Sequence, residues 1–174
     1  MDELIKRLSA ILIERGLTMA TAESCTGGRI AAAITACAGS SKWYRGGGVA
    51  YSNEAKRDLL GVDWEALQKY GAVSEPIVLE MTAGALRILQ ADCAVATSGI
   101  AGPGGGTLTK PVGTIWIAAA TQQQTITTLL TTGSNDRERN AMQATQAALR
   151  LLCNLLDASP NEQGLLSHQS HETQ

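Results

Sequence analysis

Residues 3–15 set Leu4, Ile5, Leu8, Ile11 and Leu12 on one face of a helical repeat, and Gly16 follows as a stop. Residues 17–22 read as a short strand. The run ESCTGG then turns the chain into an Ala/Ile-rich helix near 27–37. GGGVAY at 46–51 predicts a strand. Ser52 is placed to cap a helix reaching Leu60, and Asp63 to cap a short helix carrying Trp64 and Leu67. Ser74 begins a longer helix, with Pro76 in its first turn, ending near Leu89. Residues 92–98 read as a buried strand, and GIAGPGGGTLTKPVG as a loop. Residues 113–120 and 124–132 form an expected antiparallel pair, and Asp136 opens a last helix running to about Asp157. Strands alternating with helices, with one late hairpin, predict a layered α/β domain with a mixed sheet flanked by helices. The domain is expected over 1–157. Residues 158–174 lack periodicity and read as a disordered polar tail.

Composition narrows this picture. The chain has 174 residues, 44% of them hydrophobic, yet no Phe and only three Trp and three Tyr, so the core must be aliphatic. A net charge of −2 leaves no basic footprint for nucleic acid. No apolar run is long enough to span a bilayer. The N-terminus has no signal-peptide layout, so the expected location is the cytoplasm. Cys25, Cys37, Cys93 and Cys153 form no Cys-x-x-Cys pair, and no metal site is expected.

Both histidines, His168 and His171, lie in the tail. A folded body without imidazole excludes Ser-His-Asp and Cys-His chemistry. A hydroxyl nucleophile then needs another base, and a desolvated lysine is one. Lys56 follows the glycine-led strand and lies one turn beyond Ser52; the competing reading is a solvated surface lysine. Ser24 stands between a strand and a helix start, where backbone N–H groups stabilise an oxyanion. The competing reading is that Ser24 or Thr26 only caps the helix. Gly99, Gly102, Gly104, Gly105 and Gly106 match neither a P-loop nor a dinucleotide fingerprint. Their amides suit an anion, or the segment is a flexible hairpin connection.

Four ordered motifs carry a family resemblance: TAESCTGG at 21–28, GSSKWYRGGGVAYSNEAKRDLLGV at 39–62, GAVSE at 71–75, and SGIAGPGGG with KPVGTIW at 98–116. From about residue 3 to residue 156 the chain resembles the C-terminal domain of the CinA family, in its stand-alone form. The resemblance implies an amidohydrolase that converts nicotinamide mononucleotide to nicotinate mononucleotide and ammonia, without cofactor, in pyridine nucleotide recycling. It maps a nucleophile onto Ser24, a tyrosine and a lysine onto Tyr51 and Lys56, and a glycine-rich loop onto 99–106 behind the hydroxyl of Ser98.

On this reading Ser24 attacks the carboxamide, Lys56 takes its proton and Tyr51 relays or orients it. Thr26, Gly27 and Gly28, or Gly99 to Gly105, supply oxyanion donors. Arg137 and the amides of the glycine-rich loop, which includes Gly99, Gly102, Gly104 and Gly105, receive the 5′-phosphate. The implied partner is a small pyridine nucleotide, with homo-oligomerisation left open and no membrane or nucleic acid. A second arginine is implied four residues after Arg137, where this chain has Ala141. That departure motivates the alternative, a paralogue that binds a nucleotide without turning it over.

Overall fold

The computed structural model describes residues 1–158, and within them the alternation becomes a three-layer α/β/α domain. In chain order the elements are α1 (Asp2–Glu14), β1 (Met19–Glu23), α2 (Arg29–Thr35), a 3-10 turn (Ser40–Lys42), β2 (Tyr44–Val49), α3 (Asn53–Leu60), α4 (Trp64–Tyr70) and α5 (Glu75–Leu89). They continue with β3 (Cys93–Gly99), β4 (Thr114–Thr121), β5 (Thr125–Thr131) and α6 (Arg137–Ala158). The sheet order is β2-β1-β3-β4-β5. The first three strands are parallel, and β4 and β5 run antiparallel, so the expected mixed sheet is present.

The two sheet faces differ because successive strand side chains point to opposite sides. Cys93, Val95, Ile115, Ile117 and Ala119 point toward α1, α2 and α6. The reverse face is almost all alanine: Ala20, Ala22, Ala94, Ala96 and Ala118, under α3, α4 and α5. Small side chains bring α5 close to the strands, and Gly84 extends this. A Cβ there would lie 2.1 Å from the Leu60 carbonyl oxygen, so only glycine lets α5 pass the end of α3.

Most predicted boundaries hold within two or three residues. Ser52 caps α3 by accepting from the Ala55 amide at 3.0 Å, and the Asp63 carboxylate caps α4. Three differ. Ser74 occupies the cap position of α5, but its hydroxyl instead donates to the Gly71 carbonyl at 2.7 Å, tying down the preceding loop. The second helix begins at Arg29, because residues 24–28 are spent on a turn. The last helix includes Ala158; the tail expected beyond it lies outside the described residues. Among the described residues no helix is long and apolar enough to cross a membrane.

Candidate active site

The parallel strands β1, β2 and β3 end on the same edge of the sheet, the place where open α/β sheets bind ligands. The turn after β1 carries Ser24. Immediately after β2 the chain reaches Ala50 and enters α3, whose cap at Ser52 puts Lys56 on the inward face of the first turn. β3 delivers Ser98 and the glycine-rich loop. These segments enclose an open pocket of about 270 Å³, whose lining includes Ser24, Tyr51, Lys56, Ser98 and Arg137.

Its floor is a serine–lysine pair. Lys56 Nζ donates to Ser24 Oγ at 3.0 Å and to the Ala50 carbonyl at 3.0 Å. Lys56 is 2% exposed and Ser24 7%. Burial pulls the Lys56 ammonium below the ordinary lysine range, and the neighbouring Cys25 opposes this only in part. A buried amine that tends to lose its proton, in contact with a hydroxyl, is the arrangement a base-activated nucleophile requires. Cys25 lines the same pocket, but burial pushes its thiol up to about 12, so at neutral pH it is a protonated, unreactive group.

Behind the pair lies a buried carboxylate that sequence reasoning did not single out. Glu23, 1% exposed, ends β1. Its Oε2 accepts from Thr26 Oγ1 at 2.7 Å, Gly28 N at 3.0 Å and Ile30 N at 3.1 Å, and its Oε1 accepts from Ala31 N at 2.8 Å. Glu23 therefore caps α2 from the preceding strand, and neither Ser24 nor Thr26 does so. Thr26 Oγ1 also bonds Thr97 Oγ1 at 2.8 Å, which joins the turn to β3.

Nine of the residues expected at the site line the pocket: Ser24, Tyr51, Lys56, Ser98, Gly99, Gly102, Gly104, Gly105 and Arg137. Thr26, Gly27 and Gly28 do not. Thr26 is fully buried in the Glu23 network, the Gly27 amide donates to the Ser24 carbonyl at 3.0 Å, and the Gly28 amide is held by Glu23. The amides of Cys25 and Thr26 carry no hydrogen bond to another described residue. Tyr51 stands at the mouth, 59% exposed, and its hydroxyl accepts from an Arg137 guanidinium nitrogen at 3.3 Å. It bonds neither Ser24 nor Lys56. Ser98 Oγ donates to the Ala72 carbonyl at 2.7 Å and anchors the opposite wall. Ala141 is 1% exposed and packs into the core below Arg137. Among the described residues no three His, Cys, Asp or Glu side chains gather in a group able to hold a metal ion.

Sheet order, switch-point pocket and hydroxyl–amine pair define an α/β protein built around a buried serine–lysine site. The chain belongs to the CinA C-terminal domain family, whose model matches residues 1–156. It is 51% identical over 150 residues to the nicotinamide-nucleotide amidohydrolase PncC of Escherichia coli K12, covering 86% of this chain and 91% of that protein. It is 49% identical over 154 residues to the protein of the same name from Enterobacter agglomerans, covering 86% and 94%. Among solved structures it is similar to the competence damage-inducible protein A (ComA) of Klebsiella pneumoniae subsp. pneumoniae MGH 78578. The TM-score is 0.87 at 42% identity, over 91% of this chain and 98% of that one. The competence/damage inducible protein CihA of Agrobacterium tumefaciens gives 0.86 at 42%, over 89% and 94%.

Proposed function

We propose that this chain hydrolyses the carboxamide of nicotinamide mononucleotide to nicotinate mononucleotide and ammonia, with Ser24 as nucleophile and Lys56 as its base. The observation that carries the reading is the 3.0 Å contact between a buried lysine amine and a serine hydroxyl on the floor of a pocket. The names of the relatives at about half identity supply the substrate.

With Lys56 neutral, one N–H stays on the Ala50 carbonyl and the nitrogen lone pair faces the Ser24 O–H. As Oγ bonds to the carboxamide carbon, its proton passes to Nζ. Collapse of the tetrahedral intermediate breaks the C–N bond, and the Lys56 ammonium protonates the departing nitrogen to ammonia. Water then attacks the acyl ester, again losing a proton to Lys56. The ester C–O bond breaks and Ser24 is reprotonated. The amide of Cys25, which lines the pocket beside Ser24 and bonds no other described residue, is the oxyanion donor this turn offers, worth roughly 3 kcal/mol in the transition state. Arg137, steadied by Tyr51, and the amides of the glycine-rich loop receive the 5′-phosphate.

A second reading has one observation in its favour. Ala141 is buried where the family resemblance implies an arginine, so one phosphate-binding charge is missing, and a protein that binds the nucleotide without hydrolysing it fits that loss. Ammonia release from nicotinamide mononucleotide separates the two. The expected result is turnover by the wild type and at least a 10³-fold loss in Ser24→Ala, in the range seen when a catalytic serine is removed. Tight binding without ammonia supports the second reading, and full activity in Ser24→Ala removes Ser24 from the scheme.

A further inference from the structure

The phosphate end of the pocket is assembled from two segments far apart in sequence: the loop after β3, with Ala101, Gly102, Gly104 and Gly105, and the first turn of α6, with Arg137. One fully buried side chain joins them. Asn140 Nδ2 donates to the Ala101 carbonyl at 2.8 Å and to the Ser134 carbonyl at 2.9 Å, and Asn140 Oδ1 accepts from Thr132 Oγ1 at 2.6 Å. The other buried positions of α6 are Ala, Leu, Cys and a Thr that bonds its own helix. An amide in that company is costly unless satisfied, and here both donors and the acceptor are used.

Peptide planarity turns this anchor into an aiming device. The only cis peptide among the described residues is Gly102–Pro103, so the Ala101–Gly102 peptide is trans and its C=O and N–H point in opposite directions. Holding the Ala101 carbonyl toward Asn140 sends the Gly102 N–H the other way, and that N–H bonds no protein acceptor among the described residues. The loop has little room to answer otherwise. Gly102 sits at φ +90°, and a Cβ there would fall 2.4 Å from Val112 Cγ1.

We infer that Asn140 is a positioning residue for anion recognition: it locks the glycine-rich loop to the start of α6, so that the Gly102 amide and Arg137 converge on the phosphate of a mononucleotide substrate. With Ala141 buried, Arg137 is, among the described residues lining that end of the pocket, the one charged side chain, and the aim of the loop amides weighs correspondingly more. The inference rests on the mononucleotide reading above.

The test compares a nucleotide with its nucleoside. Steady-state kinetics on nicotinamide mononucleotide and nicotinamide riboside are measured for wild type, Asn140→Leu and Thr132→Val. Thr132→Val leaves Asn140 in place and removes the hydroxyl that orients it. The expected result is a KM for the mononucleotide raised about tenfold in Asn140→Leu and about threefold in Thr132→Val, with kcat within twofold and riboside parameters unchanged. Calorimetric binding of nicotinate mononucleotide and nicotinate riboside to the same proteins gives a readout independent of turnover, and there only the nucleotide affinity should fall. Equal losses for nucleotide and nucleoside, or none for either, overturn the inference. If the wild type binds the nucleotide but releases no ammonia, the hydrolytic reading fails and the calorimetric comparison alone decides the role of Asn140. A wild type that binds the nucleotide no better than the nucleoside refutes the inference directly. If Asn140→Leu does not fold, Thr132→Val carries the decision.

Discussion

Replacing Glu23 with glutamine puts a donor where the structure demands an acceptor. Four donors converge on the carboxylate, three on Oε2 and one on Oε1. A glutamine can set its carbonyl oxygen in the Oε2 place and keep three of these bonds. Its NH2 group then faces the Ala31 N–H, donor against donor. The stranded amide costs about 1–3 kcal/mol. Loss of negative charge at the start of α2 adds roughly 0.3–1 kcal/mol. The three surviving bonds also weaken when their acceptor is neutral. The sum is about 2–4 kcal/mol, offset in part because a charge no longer has to be buried. At roughly 2–4 °C per kcal/mol for a domain of this size, Glu23→Gln should lower Tm by about 5–15 °C. Differential scanning calorimetry measures it, with Glu138→Gln as the control. Glu138 pairs with Arg29 on the surface, and breaking that exposed pair should cost about 1 kcal/mol or less. Because the same carboxylate shapes the turn that presents Ser24, kcat should also fall at temperatures where both proteins are folded. A Tm within 2 °C of wild type, with unchanged kcat, would show that the carboxylate is not what holds the turn.

Lys56→Met should abolish ammonia release while leaving Tm within a few degrees of wild type or above it, since methionine fills the same space without a buried amine; retained turnover removes Lys56 from the mechanism. Burial lowers the Lys56 pKa, so between its folded and unfolded values the unfolded chain binds more protons than the native one. Stability therefore climbs with pH across that interval and falls as pH drops through the folded pKa; denaturant titrations at several pH values should find this slope in wild type and lose it in Lys56→Met. The rising limb of kcat/KM should have its midpoint below about 10.4, the ordinary lysine value, and a midpoint at or above it contradicts a desolvated base. Iodoacetamide at pH 8 should label the partly exposed Cys37 first and spare Cys25, whose pKa is about 12, with activity retained; mass spectrometry finding Cys25 modified first reverses that assignment. Gly84→Ala should destabilise by about 1–3 kcal/mol or more in urea unfolding, because its methyl group meets backbone at Leu60.

Hydrophobic spacing and cap residues made the fold legible, whereas the pairing of Ser24 with Lys56 came from the family resemblance, since pattern alone left a helix cap and a surface lysine as open alternatives. Ser52 as a cap fixes where α3 begins, and Lys56 then follows by helical spacing; only the burial of that lysine had to come from tertiary structure. Glu23 stayed hidden for a physical reason. A carboxylate at a strand end reads as solvent-facing, and its partners at 26, 28, 30 and 31 become visible only once the turn closes over it. The same turn consumed the amides of Gly27 and Gly28, which sequence alone offered to the substrate. Tyr51 illustrates the remaining limit. Its partner Arg137 is 86 positions away, a pairing that no local rule predicts, and that pairing moves Tyr51 from the proton path to the mouth of the pocket. Asn140 lay unmarked because one polar residue in an amphipathic helix carries no signal until its partners are known.

A protein without imidazole in its folded body must dry an amine before it can serve as a base, and here the sheet register does this. Glu23 and Val49 are register partners in parallel strands, and the Ala50 amide donates to the Glu23 carbonyl at 2.8 Å. Ala50 in turn accepts from Lys56 Nζ, whose other contact is Ser24 Oγ. Glu23 thus controls the pair from both sides, through its carbonyl toward the lysine and through its carboxylate toward the serine turn. A one-residue slip between β1 and β2 would turn successive side chains to the opposite face and break this ring. The placement of an amine against a hydroxyl is therefore a property of strand pairing as much as of the two residues. On the proposed mechanism, the ring of bonds around Glu23, rather than Ser24 and Lys56 alone, is the unit that would activate the nucleophile.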